Sequence, residues 1–390
     1  MVKYTRKRKN RKTKKGGKLI GQGSYGCVFR PAIKCEHNST RAPNSISKLM
    51  SAKNAEKEFK IRSKLIEIDP DQKFLLYPLK LCHPTHNAEP ENNISDCKLS
   101  KGNQGNKGNQ GNQGNQGNQG NQGNQGNQGN QGNQGNQGIN TLIIYKDGGD
   151  SLTHIINDSK DASFETKLAL LNGLINIFTA LELLHSRDIV HLDIKPDNII
   201  CKKTATTYLI RLIDFGLSNT TNHIAVNDDR TLRNNYYLWP FETRLVTHHF
   251  LFGSNEINIF ELNNYYKKMR SDSIYGFFLP KWLLGQDSKP TLDYYAGIQK
   301  SMSGKSFSEK KEDIDEILKK TDIFSLGTVL LYISKLLLAN EATKHSKNIV
   351  RLGRLFYNMV NPDYKHRPSA TEASYEYQQI MFAMSSNTSP

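Results

Sequence analysis

Two segments carry side chains whose types and spacing could do chemistry. His191-Leu192-Asp193-Ile194-Lys195-Pro196-Asp197-Asn198 reads H-x-D-x-K-x-x-N, and Asp214-Phe215-Gly216 reads D-F-G. Apolar, strand-like runs flank both: 188–190 and 199–200 around the first, 208–213 before the second. A catalytic loop and a metal-binding loop at the ends of short strands need that setting. A lone Asp is most often a turn or cap residue. The joint occurrence of Asp193, Lys195, Asn198 and Asp214 makes that ordinary reading a poor account of the four together.

These loops need elements to position them. Phe164, Leu168, Leu171, Ile175, Phe178 and Leu181 keep helical spacing and predict a long buried helix ending at His185, which delivers the chain to His191. Thr141–Tyr145 predicts a strand, followed by Lys146-Asp147-Gly148-Gly149-Asp150. Near the start, Ile20-Gly21-Gln22-Gly23-Ser24-Tyr25-Gly26-Cys27-Val28 reads G-x-G-x-x-G-x-V between two strand-like runs, with no helix behind it. A dinucleotide fold opens a helix at its glycines. A hairpin covering phosphates does not, and it uses glycine because backbone amides must approach without a Cβ in the way. Further on, Trp239-Pro240-Phe241-Glu242 is a variant of A-P-E, Asp322-Ile323-Phe324-Ser325-Leu326-Gly327 of D-x-W-S-L-G, and Arg367-Pro368-Ser369-Ala370 of R-P-T-A. In this order the segments resemble the eukaryotic-type Ser/Thr protein kinases. The resemblance runs from Leu19 to about Phe382, and its nearest flavour is the kinase-like proteins of giant DNA viruses, which share basic tails and low-complexity inserts.

The resemblance implies an α+β, bilobal protein-kinase-like fold, with a small β-rich N-lobe (about 19–146) and a larger, mainly helical C-lobe (about 147–382). It implies ATP and Mg²⁺ as cofactors and protein hydroxyls as acceptors. By it, residues 20–28 cover the ATP phosphates, and a lysine of the third strand, held by a glutamate, orients them. Lys34 mimics the A-I-K pattern but follows Val28 too closely for a second strand to finish and return; Lys48, inside an apolar alternation, is the better candidate. Ala52–Ile66 predicts a helix on which Glu58 borders the buried stripe with Ile61 and Leu65, with Glu56 as the alternative partner. Backbone groups near 144–146 would bind adenine and Asp150 the ribose. Asn198 and Asp214 would hold Mg²⁺, since hard cations want oxygen ligands. Asp193 would orient the acceptor hydroxyl and Lys195, placed as in Ser/Thr kinases, would steady the γ-phosphate. Glu242 and Arg367 would form a buried ion pair.

Composition sets bounds. Formal net charge is +16, but residues 1–18 hold ten Lys/Arg and no acid, leaving 43 basic against 37 acidic residues elsewhere. The basic excess is thus mostly a property of that arm, which is expected to be disordered and to serve as a solvated tail, a nuclear-import signal or a polyanion contact. This argues against a large nucleic-acid face on the body. The five cysteines (27, 35, 82, 97 and 201) are odd in number and scattered, so no disulfide framework and a reducing compartment are expected. Cys82, His83, His86 and Cys97 fit no common zinc spacing. No apolar run follows the charged start, so no signal peptide is expected, and the run at 168–184 is read as a buried helix and not a membrane span. Residence is expected inside the cell: host cytoplasm or nucleus, or the virion, if the chain is viral.

Residues 102–138 repeat Gly-Asn-Gln. Glycine at that period matches collagen, but no proline pre-sets the polyproline II backbone, so a tolerated, flexible insertion is expected. A second insertion occupies about 243–321, with an amphipathic helix near Glu309–Lys319. The main departure from the family is Leu192, where H-R-D has arginine. In such kinases that arginine binds a phosphate on the loop after D-F-G. Leu192 cannot, so activity is expected to be independent of phosphorylation at Thr220, Thr221 or Thr231, unless Arg211 or Arg233 substitutes. The alternative readings are a pseudokinase scaffold, which should have lost Lys48, Asp193 or Asp214, and a basic-tailed nucleic-acid- or virion-associated protein, which leaves the core motifs unexplained.

Overall fold

The computed structural model describes residues 17–23, 26–36, 44–85, 94–97, 139–159, 161–222, 239–240, 242–243, 307–337, 347–361 and 363–386. The arm up to residue 16, Ser24, Tyr25, the Gly-Asn-Gln repeat and 244–306 lie outside them, as do the expectations placed there. The chain divides into two compact units: 1–59 with 78–147, and 60–77 with 148–390. Both helix and sheet are present, as expected of an α+β chain.

The first unit is a five-stranded sheet in the order β1-β2-β3-β5-β4. Its strands are β1 (Lys18–Gln22), β2 (Gly26–Arg30), β3 (Ser45–Ser51), β4 (Lys80–Cys82) and β5 (Ile139–Lys146). Alternation along β2 and β3 puts Cys27, Phe29 and Leu49 on one face, packed with Leu142 and Ile144. The other face carries Lys48 directly opposite Val28 and Ile143. Helix α1 (Ala52–Lys60) brings Ala55 to that side, against Met50, Ile143 and Tyr145. Gly26 is demanded by packing: a Cβ there would lie 2.7 Å from the Leu49 carbonyl oxygen.

The cysteines correct the sequence expectation. Cys27 is bonded to Cys97 and Cys35 to Cys82, while Cys201 alone among the five is free and buried. Pairing takes Cys82 and Cys97 out of any zinc set and removes the cysteine argument for a reducing compartment. Spacing could not show this, because the pairs join residues 70 and 47 apart through the sheet. Each bond closes a long loop of the unfolded chain, so reductant is expected to cost the first unit about 2–4 kcal/mol per bond. Thermal melts with and without dithiothreitol check this, and coincident melts would refute the pairing.

The second unit begins with α2 (Arg62–Ile68), so the helix expected over 52–66 is two, parted at Ile61. Between Phe74 and Cys82 only β4 is strand. Leu76 N–H donates to the Leu212 carbonyl and Leu212 N–H to that of Phe74, so this stretch spends its backbone groups inside the second unit. Asp69 anchors it, accepting from the amides of Lys73, Phe74 and Leu75 at 2.7–2.9 Å. Two small sheets follow: β6 (Asp150–Ser151) with β8 (Ile199–Lys203) and β9 (Tyr208–Leu212), and β7 (Ile189–Val190) with β10 (Asn219–Thr220).

The helices of the second unit are α3 (Leu152–Asp158), α4 (Phe164–Gly173), α5 (Ile175–His185), α6 (Phe307–Leu337), α7 (Lys347–Met359) and α8 (Ala370–Ser386). Residues 164–185 are long and apolar enough to cross a membrane, yet they break after Gly173 and bury Leu170, Leu171, Ile177, Phe178, Leu181 and Leu184 in one core. Gly173 permits that packing, since a Cβ would stand 2.7 Å from the Tyr208 carbonyl oxygen. Tyr377 of α8 stacks on Phe178 at 4.6 Å and donates to the Leu171 carbonyl at 2.7 Å. The helix expected near 309–319 is not separate: α6 runs unbroken through Asp322 to Leu337, with Ile314, Ile317 and Leu318 fully buried. The end of the predicted insertion is therefore core.

Candidate active site

In the first unit, β1 and β2 pair antiparallel with Gly21 opposite Val28 and Gln22 opposite Cys27, and the Gly23 amide closes on the Gly26 carbonyl at 2.9 Å. No helix follows. Among the described residues, a Cβ on Gly23 would meet nothing within 4 Å, and one on Gly21 only the Val28 Cβ at 4.0 Å; neither glycine has positive φ. Neither backbone conformation nor packing against the described residues requires glycine at these two positions. Ile20 is exposed and Val28 half-buried. The Cys27 sulphur is held in the disulfide within the core, which leaves the backbone of Cys27 as the part that the phosphate-covering reading can use.

Lys48 lies on β3, and its Nζ donates to Glu58 Oε2 at 2.7 Å. Glu58 is buried, and its Oε1 accepts a short hydrogen bond from the Tyr145 hydroxyl. Glu56 is exposed on the same helix, and Lys34 lies in the loop after β2. Sequence reasoning missed Tyr145, because nothing local marks a β5 tyrosine as the partner of a residue 87 positions away. Replacing Lys48 with Met would leave Glu58 buried without its cation, a loss of several kcal/mol in interaction. Lys48→Met is expected to cripple activity and lower the melting temperature, whereas Lys34→Met is expected to do neither; the reverse ranking in matched assays and melts would refute the Lys48 assignment.

In the second unit, the loop between β7 and β8 holds the other group. Lys195 Nζ sits 3.1 and 2.9 Å from the two Asp193 oxygens. Asn198 Nδ2 donates to the Asp193 carbonyl at 2.8 Å and to its carboxylate at 2.7 Å. With both amide protons so used, the Asn198 Oδ1 is left as an acceptor. His191 Nδ1 accepts from the Asp193 amide at 3.2 Å, so its Nε2 carries the proton and donates to the Ile213 carbonyl at 3.0 Å. That bond ties the loop to the strand leading into Asp214, and Phe215 packs edge-on against the His191 ring. Asp214 itself has φ +64, a left-handed conformation that Asp tolerates better than most residues.

Asp150 is on β6, exposed and opposite Cys201. The adjoining Gly149 has φ +105, and a Cβ there would collide with the Cys201 carbonyl oxygen at 2.2 Å, so this turn is glycine by necessity. Thr220 lies in β10 and Thr221 is fully buried, which makes Thr221 a poor phosphate acceptor; Thr231 and Arg233 lie outside the described residues. Arg211 is half-buried beside Asp69, within the anchor described above. Glu242 and Arg367 form the expected pair, both fully buried.

The donor set bears on the metal. Asn198 and Asp214 offer oxygen only, and among the described residues no group of three or more His, Cys, Asp or Glu could hold an ion. Two hard oxygen donors suit Mg²⁺, which keeps waters and takes remaining ligands from substrate phosphates.

The protein kinase domain family matches residues 139–240. The collagen triple helix repeat (20 copies) matches 99–141, which follows the glycine period of a stretch that has no proline. Calcium-dependent protein kinase 3 of Plasmodium yoelii yoelii is 41% identical over 64 residues, covering 16% of this chain and 12% of that protein. Smooth-muscle myosin light chain kinase of Gallus gallus is 42% identical over 73 residues, covering 18% and 4%. MAP kinase-activated protein kinase 2 of Drosophila melanogaster is 36% identical over 73 residues, covering 19% and 20%. The chain therefore spans a fifth or less of these relatives. The glycine hairpin, Lys48 and Glu58 fall outside the family match, and the loops bearing Asp193, Asn198 and Asp214 fall within it: residues 139–240 match a protein kinase domain.

Proposed function

We propose that the chain is a Ser/Thr protein kinase that uses ATP and Mg²⁺. The observation that carries this reading is the Asp193–Lys195–Asn198 constellation followed by Asp214, inside the stretch that matches the kinase family. The Lys48–Glu58 pair of the first unit supports it independently, since it lies outside that stretch. Phosphoryl transfer asks mainly for positioning and charge neutralisation. Gly21 and Gly23, which no packing among the described residues requires to be glycine, would let backbone amides come close to phosphate oxygens. Lys48, fixed by Glu58 and Tyr145, would orient the α- and β-phosphates. Asp193, braced by the Asn198 amide, would orient the acceptor hydroxyl and take its proton. Lys195 would steady the transferred phosphate. Mg²⁺, held by Asn198 and Asp214 when bound, would offset charge on the phosphate oxygens. Lys195, two residues after Asp193, is the observation favouring Ser/Thr acceptors over tyrosine. Residues 1–18 would contact polyanions or the nuclear-import machinery.

The test is transfer of labelled phosphate from Mg-ATP to a generic basic protein, with Asp193→Asn as control. Phosphoserine and phosphothreonine in the product, absent with the control, are expected. No transfer by the folded wild-type chain would refute the reading and favour a scaffold.

A further inference from the structure

Leu192 is the residue before Asp193, and it has φ +61. For a bulky residue the left-handed region costs about 1–2 kcal/mol, so something must hold it there. Its side chain is 1% exposed and belongs to the core of the second unit. Its amide donates to Asp322 Oδ1 at 2.8 Å, and the His191 amide donates to Asp322 Oδ2 at 2.7 Å. His185 Nε2 stands 3.2 Å from that same Oδ2. The His191 carbonyl accepts from the Ser218 hydroxyl at 3.3 Å and the Asp193 carbonyl from Asn198 at 2.8 Å. One group remains, the Leu192 carbonyl, and it accepts from the Trp239 indole Nε1 at 2.8 Å. Trp239 is 4% exposed and lies three residues before Glu242, whose pairing with Arg367 anchors the end of the segment that follows D-F-G.

We propose that Trp239 is a positioning residue for Asp193. Its indole N–H ties the end of that segment to the carbonyl adjoining Asp193 and holds Leu192 in its left-handed conformation. A neutral, permanent hydrogen bond thereby supplies the link that the arginine of H-R-D supplies in kinases through a phosphate. The inference rests on the kinase reading for its effect on rate, but the clamp itself is a property of the fold. It also accounts for Leu192: an apolar side chain can face the core because the connection runs through its backbone.

Two replacements test it. Trp239→Phe keeps a ring and loses the donor. A sulphur analogue of tryptophan, inserted at position 239 alone, keeps the shape and removes only the N–H. Loss of a partner for a buried carbonyl is expected to lower kcat about tenfold, with the KM for ATP within about twofold of wild type. Amide hydrogen exchange of the peptide 189–198 is expected to quicken in both proteins while α8 keeps its protection. Phosphatase treatment of the wild type is expected to change kcat less than about threefold. Unchanged exchange in the sulphur analogue would overturn the clamp, whether or not the chain is an active kinase. An active wild type whose kcat is untouched by either replacement would overturn the positioning role, as would equal losses in kcat, ATP affinity and α8 protection. A wild type without transfer activity but with quickened exchange in both replacements would sink the kinase reading and leave the clamp standing.

Discussion

Asp214→Asn is expected to lower phosphotransfer by at least about a hundredfold to a thousandfold while leaving the fold intact. The substitution removes one anionic oxygen and little volume. Asn accepts left-handed backbone as readily as Asp, so φ +64 at this position adds no strain. Asp214 is half-buried, and Asn keeps a side-chain oxygen that can accept from the Gly216 amide, which stands 3.4 Å from the carboxylate. The melting temperature should therefore move by no more than about 0.5 kcal/mol in equivalent stability. What is lost is charge where a hard cation would sit, because a neutral amide oxygen neutralises none of the ion's charge. Raising Mg²⁺ should recover part of the rate, since a weakened site fills at higher concentration. Full activity at low Mg²⁺ in the variant would overturn the metal assignment.

Arg367→Ala is expected to cost about 3–5 kcal/mol of stability, the largest effect among the structural positions. Both side chains of the Glu242–Arg367 pair have no exposure. Arg367 further donates from Nε to the Asn361 carbonyl at 2.5 Å and lies 4.9 Å from the Phe324 ring centroid. Burial pushes the Glu242 carboxyl up, and the guanidinium pulls against that; without the cation the carboxylate must be desolvated alone or take up a proton. For a unit of this size the loss corresponds to a fall in melting temperature on the order of 10 °C. Replacing both members with apolar residues should recover part of the loss, because no charge is then stranded. Recovery should be incomplete, since the Asn361 carbonyl loses its donor. Equal melting of wild type and Arg367→Ala would show that the pair braces nothing.

Much of the candidate site was legible because its members are close along the chain. Asp193, Lys195 and Asn198 lie in one loop whose hydrogen bonds are local, and the two strands around Gly21, Gly23 and Gly26 form a hairpin read from apolar runs and the absence of a following helix. The number of residues a returning strand needs favours Lys48 over Lys34, and β3 (Ser45–Ser51) carries Lys48. The Glu242–Arg367 pair came from resemblance, since no local pattern connects residues 125 apart.

The tertiary structure decided what spacing leaves open. Glu58 and Glu56 share a helix and differ in which face is covered: Glu58 is buried under Tyr145 and beside Lys48, and Glu56 meets solvent. The four paired cysteines look scattered in order and meet only because the sheet folds them together. A single helix from Phe307 to Leu337 takes in both the helix expected near 309–319 and the Asp322–Gly327 motif, because burial of Ile314, Ile317 and Leu318 continues the stripe that holds Asp322. Asp322 and Trp239 reach the backbone beside Asp193 from 130 and 47 residues away. Side-chain types and near-neighbour spacing specify which chemistry a loop can attempt. The orientation of that loop depends on distant donors and acceptors satisfying its buried backbone, and packing alone brings those into place.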